Sequence, residues 1–167
     1  MTAVVLTISD SSAAGTREDR SGPTVRDHLA ALGWSTTVEV LPDEQPVIAA
    51  RLRELCRQPG IDAIFTTGGT GVAERDVTPE ATREVIDREI PGIAEWMRAE
   101  GMKKTHRAIL SRGLAGVSGR TLIVNLPGSP KGAVESLVSI ADLIGHVVDL
   151  LHGQTSHEPQ AKLEERG

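Results

Sequence analysis

Four short polar segments carry the residue types that chemistry needs. They are Ser9-Asp10, Asp43-Glu44, the run Thr67-Gly68-Gly69-Thr70-Gly71 with Asp76 and Thr78 just after it, and Asn125-Leu126-Pro127-Gly128-Ser129-Pro130-Lys131. The glycine run offers backbone N–H groups with no side chains in the way, a concavity suited to phosphate oxygens. It is not a P-loop, because no lysine follows Gly71. Nor is it G-x-G-x-x-G, because Glu74 stands where the third glycine belongs. Carboxylates beside such a cradle repel a bare anion by about 4 kcal/mol at roughly 4 Å and an effective dielectric near 20. A divalent cation reverses that sign. Asp43 and Asp76 therefore make sense as holders of Mg²⁺ against nucleotide phosphates. Each also has a plainer role open to it: Asp43 as a cap on the helix that follows, Asp76 as a partner of Arg75 or a cap on the Thr78-Pro79 turn.

Other chemistries fit poorly. Gly128-Ser129-Pro130-Lys131-Gly132 is no nucleophile elbow, because Pro127 replaces the first glycine of G-x-S-x-G. His28, His106, His146, His152 and His157 lack metal-ligand spacing and read as surface or helix-face residues. Cys56, the single cysteine, sits in a helical stretch and reads as a small buried filler.

Positioning these segments falls to alternating strands and helices. Ala3–Ile8, Thr36–Leu41, Ile61–Thr66 and Thr121–Val124 read as strands, each emptying into one of the polar segments. Between them, helices start at Ser21-Gly22-Pro23, after Pro42-Asp43-Glu44, and at Thr78-Pro79 with Thr78 as N-cap. Pro91-Gly92 breaks that last helix, and Ile93, Trp96 and Met97 mark a short one whose apolar face packs, part of it in an oligomer contact. Residues 102–119 show no clear pattern. Val134, Leu137, Val138, Ala141, Ile144, Val148 and Leu151 keep a helical period through one continuous final helix. Such alternation predicts an α/β fold, a three-layer α/β/α sandwich with a mostly parallel sheet. In open sheets of that kind ligands bind at the carboxyl ends of the strands, which is where all four polar segments fall.

The bulk properties agree. The chain has 167 residues, 39% hydrophobic but only 2% aromatic, so its core is built from Val, Ile, Leu and Ala. A formal charge of −5 with no Lys/Arg cluster excludes a nucleic-acid surface. No apolar run approaches the ~20 residues of a membrane helix, and the N-terminus lacks the basic start of a signal peptide. The expected setting is cytoplasmic, without membrane or nucleic-acid partners.

Beyond these readings, Thr66-Thr67-Gly68-Gly69-Thr70-Gly71 followed by Arg75-Asp76-Val77-Thr78-Pro79-Glu80-Ala81 resembles the signature of the MogA/MoaB family of molybdopterin-binding proteins, as found also in the G domain of gephyrin. Asn125 to Lys131 resembles the family's second loop, and Ser9-Asp10, Leu41-Pro42-Asp43 and Ala108-Ile109-Leu110-Ser111-Arg112 match in family order. The resemblance implies a molybdopterin-binding domain over residues 1–152, with 153–167 as a polar flexible tail. It implies molybdopterin adenylyltransferase activity, with ATP and molybdopterin as substrates, pyrophosphate as product and Mg²⁺ required. Asp43 and Asp76 match the family's catalytic and metal-holding acids. Ser9, Asp10, Thr67, Gly68, Gly69, Thr70, Gly71, Thr78, Ser111, Asn125, Pro127, Gly128, Ser129 and Lys131 match its ligand-contacting segments. A homotrimer and a downstream molybdenum-insertion protein are further implied. Two rival readings stay open at this point: a carrier that binds molybdopterin without catalysis, and a nucleotide-hydrolysing domain with no pterin.

Overall fold

The structure is a computed structural model, described over residues 1–154. The tail expected from residue 153 lies, from 155 onward, outside the described residues. Six strands form one sheet: β1 (Thr2–Ile8), β2 (Ser35–Leu41), β3 (Ala63–Thr67), β4 (Arg88–Glu89), β5 (Ala115–Ser118) and β6 (Thr121–Leu126), in the order β2-β1-β3-β6-β5-β4. The pairings β2-β1, β1-β3 and β3-β6 are parallel as expected, and β5 and β4 add an antiparallel margin. Among the described residues seven α-helices accompany them: α1 (Asp10–Ala13), α2 (Ser21–Ala31), α3 (Gln45–Arg57), α4 (Thr78–Arg83), α5 (Pro91–Met102), α6 (Pro130–Ser139) and α7 (Ala141–Leu151). A 3₁₀ turn covers His106–Leu110.

Strand alternation builds two cores. In β1, Ala3 and Val5 face one side and Val4, Leu6 and Ile8 the other, as a period of two requires. The first side packs Val25, Leu29, Met97, Leu137, Ile144 and Val148 from α2, α5, α6 and α7. The second packs Ile48, Leu52 and Leu55 of α3 with Ala81 of α4. This is the three-layer sandwich. Trp34 meets Phe65 edge-on, with ring centroids 6.3 Å apart, in the first core. Cys56, expected buried, is half-buried at the margin of the second.

Three expectations need correction. The polar loop after β1 contains a helical turn, α1, because Ser9 caps it by accepting the Ser12 N–H. The patternless stretch contains β5, whose small residues carry little hydrophobic signal. A Cβ on Gly116 would lie 2.8 Å from the Arg88 carbonyl, so glycine is what lets β4 approach. The continuous final helix is two helices, broken at Ile140 (φ −120°, ψ 5°). The apolar period survives the break because Leu137, Ile140, Ile144 and Val148 all bury against the same core. At the break the Ser139 carbonyl, released from the helix ladder, accepts the Trp96 indole N–H at 2.9 Å.

Register fixes where the loops leave the sheet. Ile8 stands beside Leu41, Thr7 beside Thr67, and Thr67 beside Leu126. Thus β1, β2, β3 and β6 end at one level. The chain leaves β1 for β2 on one side and returns to β3 on the other, so the order reverses between β1 and β3. A crevice opens at such a switch point.

Candidate functional site

Around that crevice the loops after β1, β2, β3 and β6 converge. Gly68 and Gly69, at φ +103° and +62°, turn the chain sharply out of β3. Gly69 has no room for a side chain: a Cβ there would lie 2.3 Å from Thr78 Oγ1 and 3.3 Å from Asp43 Oδ1. The Thr78 hydroxyl donates to the Gly68 carbonyl at 2.9 Å. This corrects the expected N-cap: Val77 caps α4, and Thr78 spends its hydroxyl on the glycine turn instead. Thr67 Oγ1 donates to the Pro127 carbonyl at 2.8 Å, tying the loop after β3 to the loop after β6. The Gly68 N–H goes to the Leu126 carbonyl at 3.3 Å. No partner within the described residues takes the N–H groups of Gly69, Thr70 or Gly71, and all three residues line a cavity.

The acidic residues meet beside this turn. Asp10 N–H donates to Asp43 Oδ2 at 2.8 Å, and Asp43 N–H donates to Asp10 Oδ1 at 2.9 Å, a reciprocal clasp between the ends of β1 and β2. The second oxygen of Asp10 accepts from Arg75. That Arg75 bond, with the Asp43 N–H, holds the Asp10 carboxyl below its ordinary range. Arg75 thus pairs with Asp10 rather than Asp76. Asp43 goes the other way. Burial pushes it up, the Asp10 N–H opposes, and the nearby charges of Asp10 and Asp76 raise it further. Asp76 accepts the Ala73 N–H through Oδ2 at 2.8 Å. Each of Asp43 and Asp76 therefore has one oxygen fixed by a backbone amide, leaving Asp43 Oδ1 and Asp76 Oδ1 without a hydrogen-bond donor among the described residues. Neither acts as a helix cap: Glu44 caps α3 without a side-chain bond.

Among the described residues no group of three or more His, Cys, Asp or Glu side chains could hold a metal alone. Two half-free carboxylates, one of them desolvated and repelled by its neighbours, still suit Mg²⁺. That ion takes one or two protein carboxylates and completes its shell with water and phosphate oxygens.

Two cavities flank the turn. One, of about 390 Å³, is walled by Gly69 to Gly71, Asp76, Ser111, Asn125 and Pro127 to Ser129, with α5 and the 3₁₀ turn closing it through Met97, Arg98 and Ala108. The other, of about 400 Å³, is walled by Ser9, Thr67, Gly68, Arg17, Arg20 and Ser21. Gly69 and Gly128 belong to both. A Cβ on Gly128 would sit 3.1 Å from the Gly68 Cα, so the two loops touch backbone to backbone in the wall between the cavities.

The remaining expected residues divide. Ser129 caps α6, accepting the Gly132 N–H at 3.1 Å, and Ser111 Oγ accepts the Gly113 N–H at 3.3 Å. Asn125 is buried, and its amide is spent inside the protein. It donates to Thr66 Oγ1 (3.0 Å) and Thr82 Oγ1 (2.9 Å) and accepts the Leu114 N–H (3.3 Å). Lys131 lies on the first turn of α6, 84% exposed, 3.9 Å from Glu135, and walls neither cavity. Sequence reasoning missed the wall from α5, whose apolar face was read only as packing, and from residues 105–110, which had no legible pattern. It also missed Arg112, which stood in a quoted segment but had no assigned role.

Known proteins resemble this chain along most of its length. Residues 4–146 match the family described as "Probable molybdopterin binding domain". A protein named molybdopterin adenylyltransferase from Helicobacter pylori J99 is 40% identical over 152 residues, 89% of this chain and 86% of that one. The molybdenum cofactor synthesis protein cinnamon of Drosophila melanogaster is 41% identical over 98% of this chain, which spans 28% of its length. The crystal structure of the molybdopterin biosynthesis enzyme MoaB from Thermus thermophilus superposes with a TM-score of 0.85 at 50% identity, covering 91% of this chain and 96% of that one. The chain belongs to the MogA/MoaB family of molybdopterin-binding proteins.

Proposed function

We propose that this chain is a molybdopterin adenylyltransferase, moving an adenylyl group from ATP to the phosphate of molybdopterin with release of pyrophosphate. The observation that carries the reading is the pair of half-free carboxylates, Asp43 and Asp76, beside a glycine turn that walls two cavities at once. A two-substrate transfer needs two binding spaces and one meeting point. The wall shared through Gly69 and Gly128 is such a point.

Each part of the chain then has a task. Gly69, Thr70 and Gly71 direct unpartnered N–H groups at phosphoryl oxygens, which orients the α-phosphorus for in-line attack. This is catalysis by positioning and electrostatics. The molybdopterin phosphate is already anionic at neutral pH and needs no general base, in keeping with the lack of histidine in the loops. Ser9 and Thr67 line one cavity, Ser111, Pro127, Gly128 and Ser129 the other. Lys131 stands exposed, able to meet an anionic group from outside them. The Asp10–Arg75 pair braces Asp43 from behind. Asp43 and Asp76 would hold Mg²⁺, which when bound neutralises charge on the departing pyrophosphate.

The reading carries with it a cytoplasmic setting, a homotrimer, and onward passage of product to a molybdenum-insertion protein. Among the described residues no helix is long and apolar enough to cross a membrane.

The test is incubation with molybdopterin and ATP in the presence of Mg²⁺, read by mass spectrometry for adenylylated pterin and by pyrophosphate release. Release that needs both substrates supports the enzyme; pterin binding without release leaves a carrier, and ATP turnover without pterin a hydrolase. Asp76→Asn keeps the fold and molybdopterin binding but loses nearly all transfer. Wild-type turnover in that variant removes Asp76 from the mechanism.

A further inference from the structure

Arg112 lies behind the glycine loop and walls neither substrate cavity. Its backbone N–H donates to the Thr70 carbonyl at 2.8 Å. Its guanidinium donates through Nε to the Gly71 carbonyl at 2.6 Å, through Nη2 to the Asp76 carbonyl, and through Nη1 to the Glu80 carboxylate on α4. One residue thus grips both ends of the segment from Gly71 to Asp76.

That segment has little else to hold it. Val72 to Arg75 are exposed, Val72 by 69%, so burial does not shape the loop. Within it, Asp76 N–H donates to the Ala73 carbonyl at 2.9 Å and Ala73 N–H returns to Asp76 Oδ2 at 2.8 Å. These bonds close the loop on itself but do not place it. Placement comes from Thr78 N–H on the Gly69 carbonyl at 3.1 Å, from the exposed Arg75–Asp10 pair at the loop's outer edge, and from Arg112 beneath it. The guanidinium is itself anchored. Burial alone would push the Glu80 carboxyl up, yet the Arg112 bond and charge outweigh it and hold that carboxyl below its usual range.

We propose that Arg112 is a positioning residue for Asp76, clamping the loop from behind so that the free carboxylate oxygen stays beside the glycine turn, at the cavity that Asp76 lines. The inference rests on the adenylyl-transfer reading for its kinetic consequence and on the hydrogen bonds alone for its structural one. Lysine cannot do the same work. A single ammonium cannot reach two carbonyls and a carboxylate in the fixed fork that a guanidinium presents.

The experiment compares Arg112→Lys in the wild-type and Asp76→Asn backgrounds, with Arg112→Ala as a second probe. Steady-state pyrophosphate release and native-state amide exchange are followed. A carboxylate misplaced by about an ångström costs roughly 10²-fold in rate. So kcat of Arg112→Lys falls about 10²-fold, while KM for ATP and for molybdopterin moves less than about threefold. In the Asp76→Asn background, the same lysine lowers the residual transfer by less than about twofold, since the residue through which Arg112 acts is already disabled. The Ala73, Asp76 and Thr78 amides exchange faster in both Arg112 variants, while those of β3 and β6 keep wild-type protection. An equal fall of kcat in both backgrounds, or unchanged kcat with a loosened loop, overturns the proposal. Acceleration of exchange throughout β3 and β6 overturns it too, because Arg112 would then be holding the whole fold. If the wild type itself releases no pyrophosphate with both substrates present, the adenylyl-transfer reading fails, and the local exchange result still decides whether Arg112 holds the loop.

Discussion

Asp43 is held in a charge state that its surroundings disfavour. Burial, Asp10 and Asp76 all act to raise its carboxyl above the ordinary 3.8, against the Asp10 N–H and Arg75. Between that value and the raised one, the native state binds more protons than the unfolded chain. Stability therefore falls as pH rises through the window, and the loss persists at neutral pH. Asn at position 43 can still accept the Asp10 N–H, and it carries no charge. We expect Asp43→Asn to raise the Tm of the ligand-free protein by about 1–3 °C at pH 7, with the advantage shrinking toward zero below pH 4. Mg²⁺ with nucleotide should raise the Tm of the wild type and leave the variant nearly unmoved, while adenylyl transfer drops in the variant. Thermal melts at several pH values check this. A variant less stable than the wild type at neutral pH contradicts the electrostatic account. The position of the acids was readable from the sequence, since each follows a strand. Their partners were not, because Arg75 lies 65 residues from Asp10 and only the fold brings them together.

At the scale of elements, the loops are held by side chains that look like ligand contacts in the sequence but spend themselves internally. Asn125 joins β6 to β3 through Thr66, to α4 through Thr82, and to the start of β5 through Leu114. Asn125→Leu keeps the branching and heavy-atom count but leaves the buried Leu114 N–H without its acceptor, at a cost of about 2–4 kcal/mol including the lost amide bonds. Urea denaturation should show that loss. Gly69→Ala tests the turn itself. The residue would adopt a left-handed conformation costing roughly 1–2 kcal/mol, and its methyl would displace the Thr78 hydroxyl from 2.3 Å. Transfer should be abolished even where the protein still folds, which pyrophosphate release at low temperature would show. The strands that feed the loops were legible because β1, β3 and β6 are aliphatic runs buried on both faces. Two features were not. The break at Ile140 leaves the apolar period intact, and β5 is built of Ala, Gly, Val and Ser, whose pattern carries no strand signal until β4 is seen beside it.

The whole molecule divides its labour between the two ends of one sheet. At the carboxyl ends of β1, β2, β3 and β6 stand half-free carboxylates, unpartnered amides and two cavities. At the opposite end the polar groups around Asp62 are paired with one another. Asp62, 9% exposed, accepts the Thr2 N–H through Oδ2 at 2.7 Å and faces His152 Nε2 at 3.3 Å through Oδ1, while its carbonyl accepts the Leu122 N–H at 3.0 Å. One residue thus pins the start of β1, the start of β6 and the chain just after α7. If this end serves only stability, Asp62→Ala should strand the Thr2 N–H and cost about 1–3 kcal/mol, lowering Tm by roughly 3–8 °C for a domain of this size. At room temperature, kcat and KM for ATP and molybdopterin should both stay at wild-type values. The strands run in register from that end to the candidate site, so a slip of β1 would move Ser9 and Asp10 relative to the glycine turn. A fall in kcat at unchanged fold would therefore mean that the amino end sets the geometry of the site as well as holding the sheet, and that the two ends are coupled through β1.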